Sequence, residues 1–145
     1  MKHLLNISLL ALFLVSGTSC KREGCTDNDA ENFDPKAKKN DNTCRFEGSA
    51  VLWYGQETSG HLVLTGASSL RYFVDNELQG STAADVYFTG APACNQNGSI
   101  TITRDLGGVK GKTYAYRVED QLGRIVWEGL LNLEANTCIQ KELVY

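Results

Sequence analysis

Five cysteines and a run of aspartates are the residues in this 145-residue chain whose type and spacing suit chemistry. Cys20 stands directly after Gly17-Thr18-Ser19, which ends an apolar run from Leu4 to Val15 behind the short polar start Lys2-His3. That order is a secretory signal over residues 1–19. Its apolar run falls short of the roughly 20 residues a membrane span requires. Two processing routes fit. Small residues at 17 and 19 suit ordinary signal peptidase. Small residues followed by Cys20 also form a lipobox, in which the thiol is acylated and becomes the new N-terminus, although Gly17 occupies a position where Leu, Val or Ile is usual. Lipidation is the favoured reading. It makes the lipid the chain's membrane anchor, because no further long apolar run follows, and several acyl chains suffice for stable attachment.

With Cys20 assigned to lipid, Cys25, Cys44, Cys94 and Cys138 remain. An exported chain meets an oxidising compartment, so disulfides are expected, and four cysteines pair in three ways. Cys25 and Cys44 flank a polar stretch with almost no core-forming residues, whereas Cys94 and Cys138 lie in the apolar-patterned part. Composition therefore pairs Cys25 with Cys44 and Cys94 with Cys138. Free buried thiols are the alternative. Metal ligation is disfavoured, because there is no CxxC pair and His61 is the sole histidine after signal removal.

Between the first two cysteines the chain reads CTDNDAENFDPKAKKNDNTC. Asp27, Asp29 and Glu31 fall at the first, third and fifth positions of an EF-hand-like loop, which invites calcium. The match then fails, with Asn32 where glycine is needed and Lys38 where the bidentate glutamate belongs. An irregular calcium site would instead use Asp27, Asp29, Asp34 and Asp41. Against it stands the plainer expectation that these Asx side chains cap turns in a disulfide-stapled loop, with turns at Asp34-Pro35 and Asn40-Asp41-Asn42.

Other catalytic constellations are thin. A Ser-His-Asp triad would need His61, and no Gly-x-Ser-x-Gly elbow occurs. Gly111-Lys112-Thr113 matches the end of a P-loop, but Leu106 stands where its first glycine belongs and the segment leads into a strand. Glu119-Asp120 reads as a solvated hairpin end. Tyr54, Phe73, Tyr87 and Phe88 would form an aromatic binding face if they lay opposite the core.

The elements that must position these residues are strands. From Phe46 to Tyr145 apolar residues recur at period two: Ala50–Tyr54, His61–Leu64, Leu70–Asp75, Ile100–Thr103, Tyr114–Glu119, Ile125–Leu133 and Cys138–Val144. They are rich in β-branched and aromatic residues. Turn signals at Asp75-Asn76, Asn97-Gly98, Gly107-Gly108 and Leu122-Gly123 punctuate them. No stretch shows a sustained helical period. The expected fold is all-β, an antiparallel sandwich of about seven strands over residues 48–145, preceded by the stapled loop and lipid site at 20–47.

The net charge of -3 leaves no basic excess to hold a phosphate backbone, so nucleic acid is not an expected partner. Residues 24–44 resemble a short cysteine-bounded motif of secreted and surface proteins of the Bacteroidota, Gly-Cys-Thr-Asp, then Asn-Tyr-Asp-Pro, then Asp-Asp-Gly-Ser-Cys. Here Phe33 replaces the tyrosine and Asn42 the glycine. The rest is similar to small β-sandwich domains of lipoproteins in that phylum, through Ala50-Val51-Leu52-Trp53, the Val74–Gly80 hairpin, Gly90–Cys94, Val126–Gly129 and Cys138. That resemblance implies an immunoglobulin-like or transthyretin-like accessory domain with no catalytic residues. The expectation is an exported, non-enzymatic lipoprotein anchored to the cell envelope at the outer membrane. It would act as a structural, adhesive or binding module for a glycan or protein and need no cofactor. The alternatives are a carbohydrate-binding or small hydrolytic accessory protein, or a calcium-dependent module.

Overall fold

Alternating apolar residues bury one side of each period-two segment and so build two facing sheets. The computed structural model describes residues 21–145; the signal segment 1–19 and the lipid site Cys20 lie outside the described residues. The elements are β1 (Glu23–Gly24), β2 (Lys39–Asn40), β3 (Phe46–Trp53), α1 (Gln56–Leu64), β4 (Ser69–Val74), β5 (Glu77–Ala83), β6 (Ile100–Gly107), β7 (Gly111–Asp120), β8 (Ile125–Glu134) and β9 (Cys138–Glu142). Strands β6-β3-β9 form one sheet and β5-β4-β7-β8 the other, while β1 and β2 make a small parallel pair. The core between the sheets is filled by Leu52, Leu70, Tyr72, Ile102, Val118 and Leu131, with their buried neighbours. The chain is thus an all-β sandwich with a disulfide-stapled loop ahead of it, as composition and period indicate.

Three local expectations change. His61–Leu64 is not a strand: it is the last turn of α1. Only Thr58, Ser59 and Leu62 of that helix are buried, so a single large apolar side chain holds it down, and no apolar stripe exists to reveal a helical period. Its end is fixed by a Schellman motif, in which Ala67 N–H bonds Leu62 C=O and Gly66 N–H bonds Val63 C=O. Gly66 sits at φ +88°, the left-handed conformation this motif requires. The expected strand at 61–64 is replaced by β5, which pairs with β4 through a hairpin whose Asp75 and Asn76 both have positive φ. Finally, the sheets are not wholly antiparallel. The β8–β9 connection carries the chain across to the other sheet, and β9 lies parallel to β3, with Ser49 opposite Cys138. The first two sandwich strands, β3 and β4, thereby lie in different sheets, unlike the immunoglobulin order, in which they pair.

Val51 shows how the second disulfide serves the fold. Phe46, Gly48, Ala50 and Leu52 face the core, so Val51 faces outward, yet it is fully buried. Its register partners are Thr101 on β6 and Gln140 on β9. Both touch the connection between β5 and β6: Asn95 N–H bonds Thr101 Oγ1 at 2.7 Å, and Gln140 Nε2 donates to Pro92 C=O at 3.1 Å. Cys94–Cys138 ties that segment to the start of β9, with Cα atoms 6.1 Å apart. The connection therefore crosses the outer face of the three-stranded sheet and roofs Val51.

Candidate functional site

The stapled loop is organised by its Asx side chains. Asp27 Oδ1 accepts the N–H of Asp29, Asp34 Oδ1 that of Lys36, Asn40 Oδ1 that of Asn42, and Asp41 Oδ1 both the N–H and hydroxyl of Thr43. Asn32 clasps the loop to its own exit, donating to Thr43 C=O and accepting from Arg45 N–H. Cys25–Cys44 closes it, with Cα atoms 4.9 Å apart. The four aspartates considered for calcium do not gather. Asp27 and Asp29 each meet Lys110 Nζ at 2.8 Å, Asp34 meets Arg22 at 2.6 Å, and Asp41 accepts from the Thr43 hydroxyl at 2.6 Å. Among the described residues, no three His, Cys, Asp or Glu side chains stand together as a metal site would require. The Lys110 side chain, through its hydrogen bond, and the N–H of Asp29 hold the Asp27 carboxyl below the usual range. For Asp41 the cause is the hydroxyl and N–H of Thr43.

Lys110, between β6 and β7, is the docking residue that sequence reasoning missed. It joins the loop's acids to the sandwich and lies 5.6 Å from the centre of the Phe46 ring. Beside this joint runs a groove of about 420 Å³ between loop and sheet, lined by Asn28, Glu31, Glu47, Ser49, Asn95 and Asn136 among others. Asn95 and Asn136 take positive φ at its rim. Burial, reinforced by the charge and hydrogen bond of Glu31 and by Asp105, pushes the Glu47 carboxyl up.

The other end of the sandwich carries exposed apolar side chains among charged ones. β3 starts beside the stapled loop and runs away from it into α1, and β9, parallel to β3, ends beside Trp53. At this far end the tail of α1, the β7–β8 turn and the C-terminus converge. Gln121 stitches them, accepting from Ser68 N–H and donating to Gly66 C=O. Tyr145 lies with its ring centre 4.1 Å from that of His61 and 5.6 Å from that of Trp127, which stacks in turn on buried Tyr54. Trp127 Nε1 donates to Val144 C=O. Clefts of about 340 and 260 Å³ flank Tyr145. Leu64 is 89% exposed, Leu122 71%, Tyr145 61% and Ile125 55%.

The expected hairpin end at Glu119-Asp120 is not solvated. Asp120 is buried and clamps the turn, accepting from the N–H groups of Leu122 and Arg124 and from Arg124 Nε at 2.6 Å. Burial alone would raise its pKa, but those donors together hold it low. Glu119 bridges Arg71 and Arg117 on the outer sheet face, where both guanidinium groups flank Phe73. The aromatic face does not assemble either. Tyr54 is in the core, Tyr87 and Phe88 lie in the β5–β6 connection, and Phe73 of β4 lies on the outer face of the other sheet, between Arg71 and Arg117. Gly111-Lys112-Thr113 opens strand β7, as the P-loop comparison anticipates. The residues that do form an aromatic cluster, Trp127 and Tyr145 with His61, lie far apart in sequence and carry no local signal. No protein-family model matches the chain, and neither a curated protein nor a solved structure matches it.

Proposed function

We propose that the chain is a non-enzymatic lipoprotein of the cell envelope, attached through Cys20 at the outer membrane, whose sandwich binds a partner protein at its far end. One observation carries this reading: Leu64, Leu122, Ile125 and Tyr145 expose apolar surface at the end of the fold farthest from the N-terminal loop. A tether should have its attachment and its contact at opposite ends. An exposed apolar patch with charged neighbours such as Arg124 and Glu142 marks a protein contact better than a catalytic cleft.

Two measurements test the reading. Intact mass of the native mature protein should show acylation at Cys20 and a gain of four hydrogens on reduction; an unacylated Cys20 removes the anchor. A photo-crosslinker placed at Leu64 in intact cells should give a discrete adduct that disappears with Leu122→Glu, while the same probe at Lys112, near the stapled loop, gives none. Equal adducts from both sites would refute a specific far-end contact.

The groove beside Lys110 favours a second reading. The side chains of Asn28, Asn95 and Asn136 form no hydrogen bond with another described residue, and they suit the hydroxyl groups of a glycan. Glycan-array binding lost with Asn95→Ala supports it, and binding unchanged by that substitution removes the groove from consideration.

A further inference from the structure

The stapled loop distributes its charge unevenly. Asp27 and Asp29 point to the sandwich and are held by Lys110. The cations collect instead beside the N-terminus. β1 and β2 pair in parallel, with Glu23 opposite Lys39, and Lys38 N–H bonds Arg22 C=O. Lys36, Lys38 and Lys39 are thereby brought alongside Lys21 and Arg22, adjacent in sequence to Cys20. Within this group Arg22 pairs with Asp34 and Lys39 with Glu23, both at 2.6 Å. Lys21, Lys36 and Lys38 form no ion pair with a described residue, and all three are exposed. Five cations against three carboxylates, Glu23, Asp34 and Asp41, whose N–H bonds Gly24 C=O, give this corner of the molecule a local positive excess in a chain of formal charge -3.

We propose that this basic corner is a contact surface for an anionic phospholipid bilayer, laying the stapled loop on the headgroups and pointing the far end of the sandwich away. The proposal rests on the lipoprotein reading, which puts the corner at the membrane by acylating its neighbour Cys20. Acyl chains alone leave a protein free to tilt about its anchor; juxtamembrane lysines supply a second, electrostatic attachment. The sandwich acids do not cancel it. β3 has eight residues, about 26 Å at strand rise, so at about 0.15 M salt acids at the far end lie about three Debye lengths from the headgroups.

The test uses the mature chain carrying Cys20→Ser, otherwise complete, so that no acyl chain contributes. Co-sedimentation is measured with vesicles of pure phosphatidylcholine and with vesicles containing about one-third phosphatidylglycerol, at about 0.15 M and about 1 M salt. The chain should prefer the anionic vesicles at low salt and lose that preference at high salt. Each free lysine is worth about fivefold in partition, so Lys36→Gln with Lys38→Gln should lower anionic-vesicle binding about thirtyfold. The exposed lysine toward the far end provides the control: Lys141→Gln should change it little. Equal binding to both vesicle types overturns the proposal, as does a loss from Lys141→Gln that equals the loss from Lys38→Gln alone. The two readings fail separately. An unacylated native Cys20 leaves the vesicle result standing, and absent vesicle binding leaves the anchor standing.

Discussion

Removing the Cys94–Cys138 disulfide should uncover Val51, and a double-mutant cycle measures it. The bridge spans a sequence separation of 44, so in the loop-closure treatment Cys94→Ser with Cys138→Ser costs about 4 kcal/mol of stability. Val51→Ala removes two carbons from a fully buried side chain, about 1.6 kcal/mol at about 0.8 per carbon. Without the bridge, the segment over Val51 is held chiefly by the Asn95–Thr101 and Gln140–Pro92 hydrogen bonds and should open locally. Val51 then meets water before any substitution, and Val51→Ala costs little. The strand preference for valine over alanine is common to both backgrounds and cancels. Urea unfolding of the four proteins should therefore give a coupling of about 1.5 kcal/mol, accompanied by faster hydrogen exchange across β9. Costs that add to within about 0.5 kcal/mol would refute the claim that the bridge maintains the roof.

Glu47→Gln should raise the melting temperature at neutral pH. Its carboxyl is raised by burial and by Glu31, so the fold loses stability as pH climbs from 4.5 through the folded value, and the advantage of glutamine should vanish below that window. Asp27 behaves oppositely. Its lowered carboxyl keeps the Lys110 contact intact above 3.8 and releases it as pH falls through the folded value; Lys110→Met should move the Asp27 titration, followed by NMR, upward toward 3.8. Gly48→Ala should destabilise by about 1–3 kcal/mol in urea, because a Cβ there would stand 2.8 Å from the Glu134 carbonyl oxygen. Gly90→Ala, with open space at that position, should be close to neutral.

The legible parts of this fold were those where one local rule decides. Leu70-Tyr72-Val74 and Tyr114-Tyr116-Val118 are core triplets because strict alternation leaves a side chain one face or the other. The Asp75-Asn76 hairpin, the glycine turns and both disulfide pairings follow from turn chemistry and composition. α1 was illegible because His61-Leu62-Val63-Leu64 alternates like a strand while only Leu62 is buried as a large side chain. Val51 is buried although alternation turns it away from the facing sheet, because its cover is a distant loop. The site suffered most. Lys110 and its aspartates are some eighty residues apart, and the His61, Trp127 and Tyr145 cluster joins three separate elements. Contacts of that kind are products of topology, and no periodicity or spacing encodes them.

The two disulfides solve different physical problems, and this separates the loop from the sandwich as units. Within residues 21–45 only Cys25 and Ala30 are buried apolar side chains, too little surface to offset the entropy of ordering the chain. The bridge across a separation of 19, together with the Asx hydrogen bonds, takes the place of a core there. Cys94–Cys138 is added to a sandwich that already has a core, and what it holds is a roof over one outer sheet face. The loop therefore owes its shape to covalent and polar constraints, which tolerate the exposed lysines and aspartates that a hydrophobic core would not. That tolerance is what allows its acids to grip Lys110 while its lysines gather beside the N-terminus.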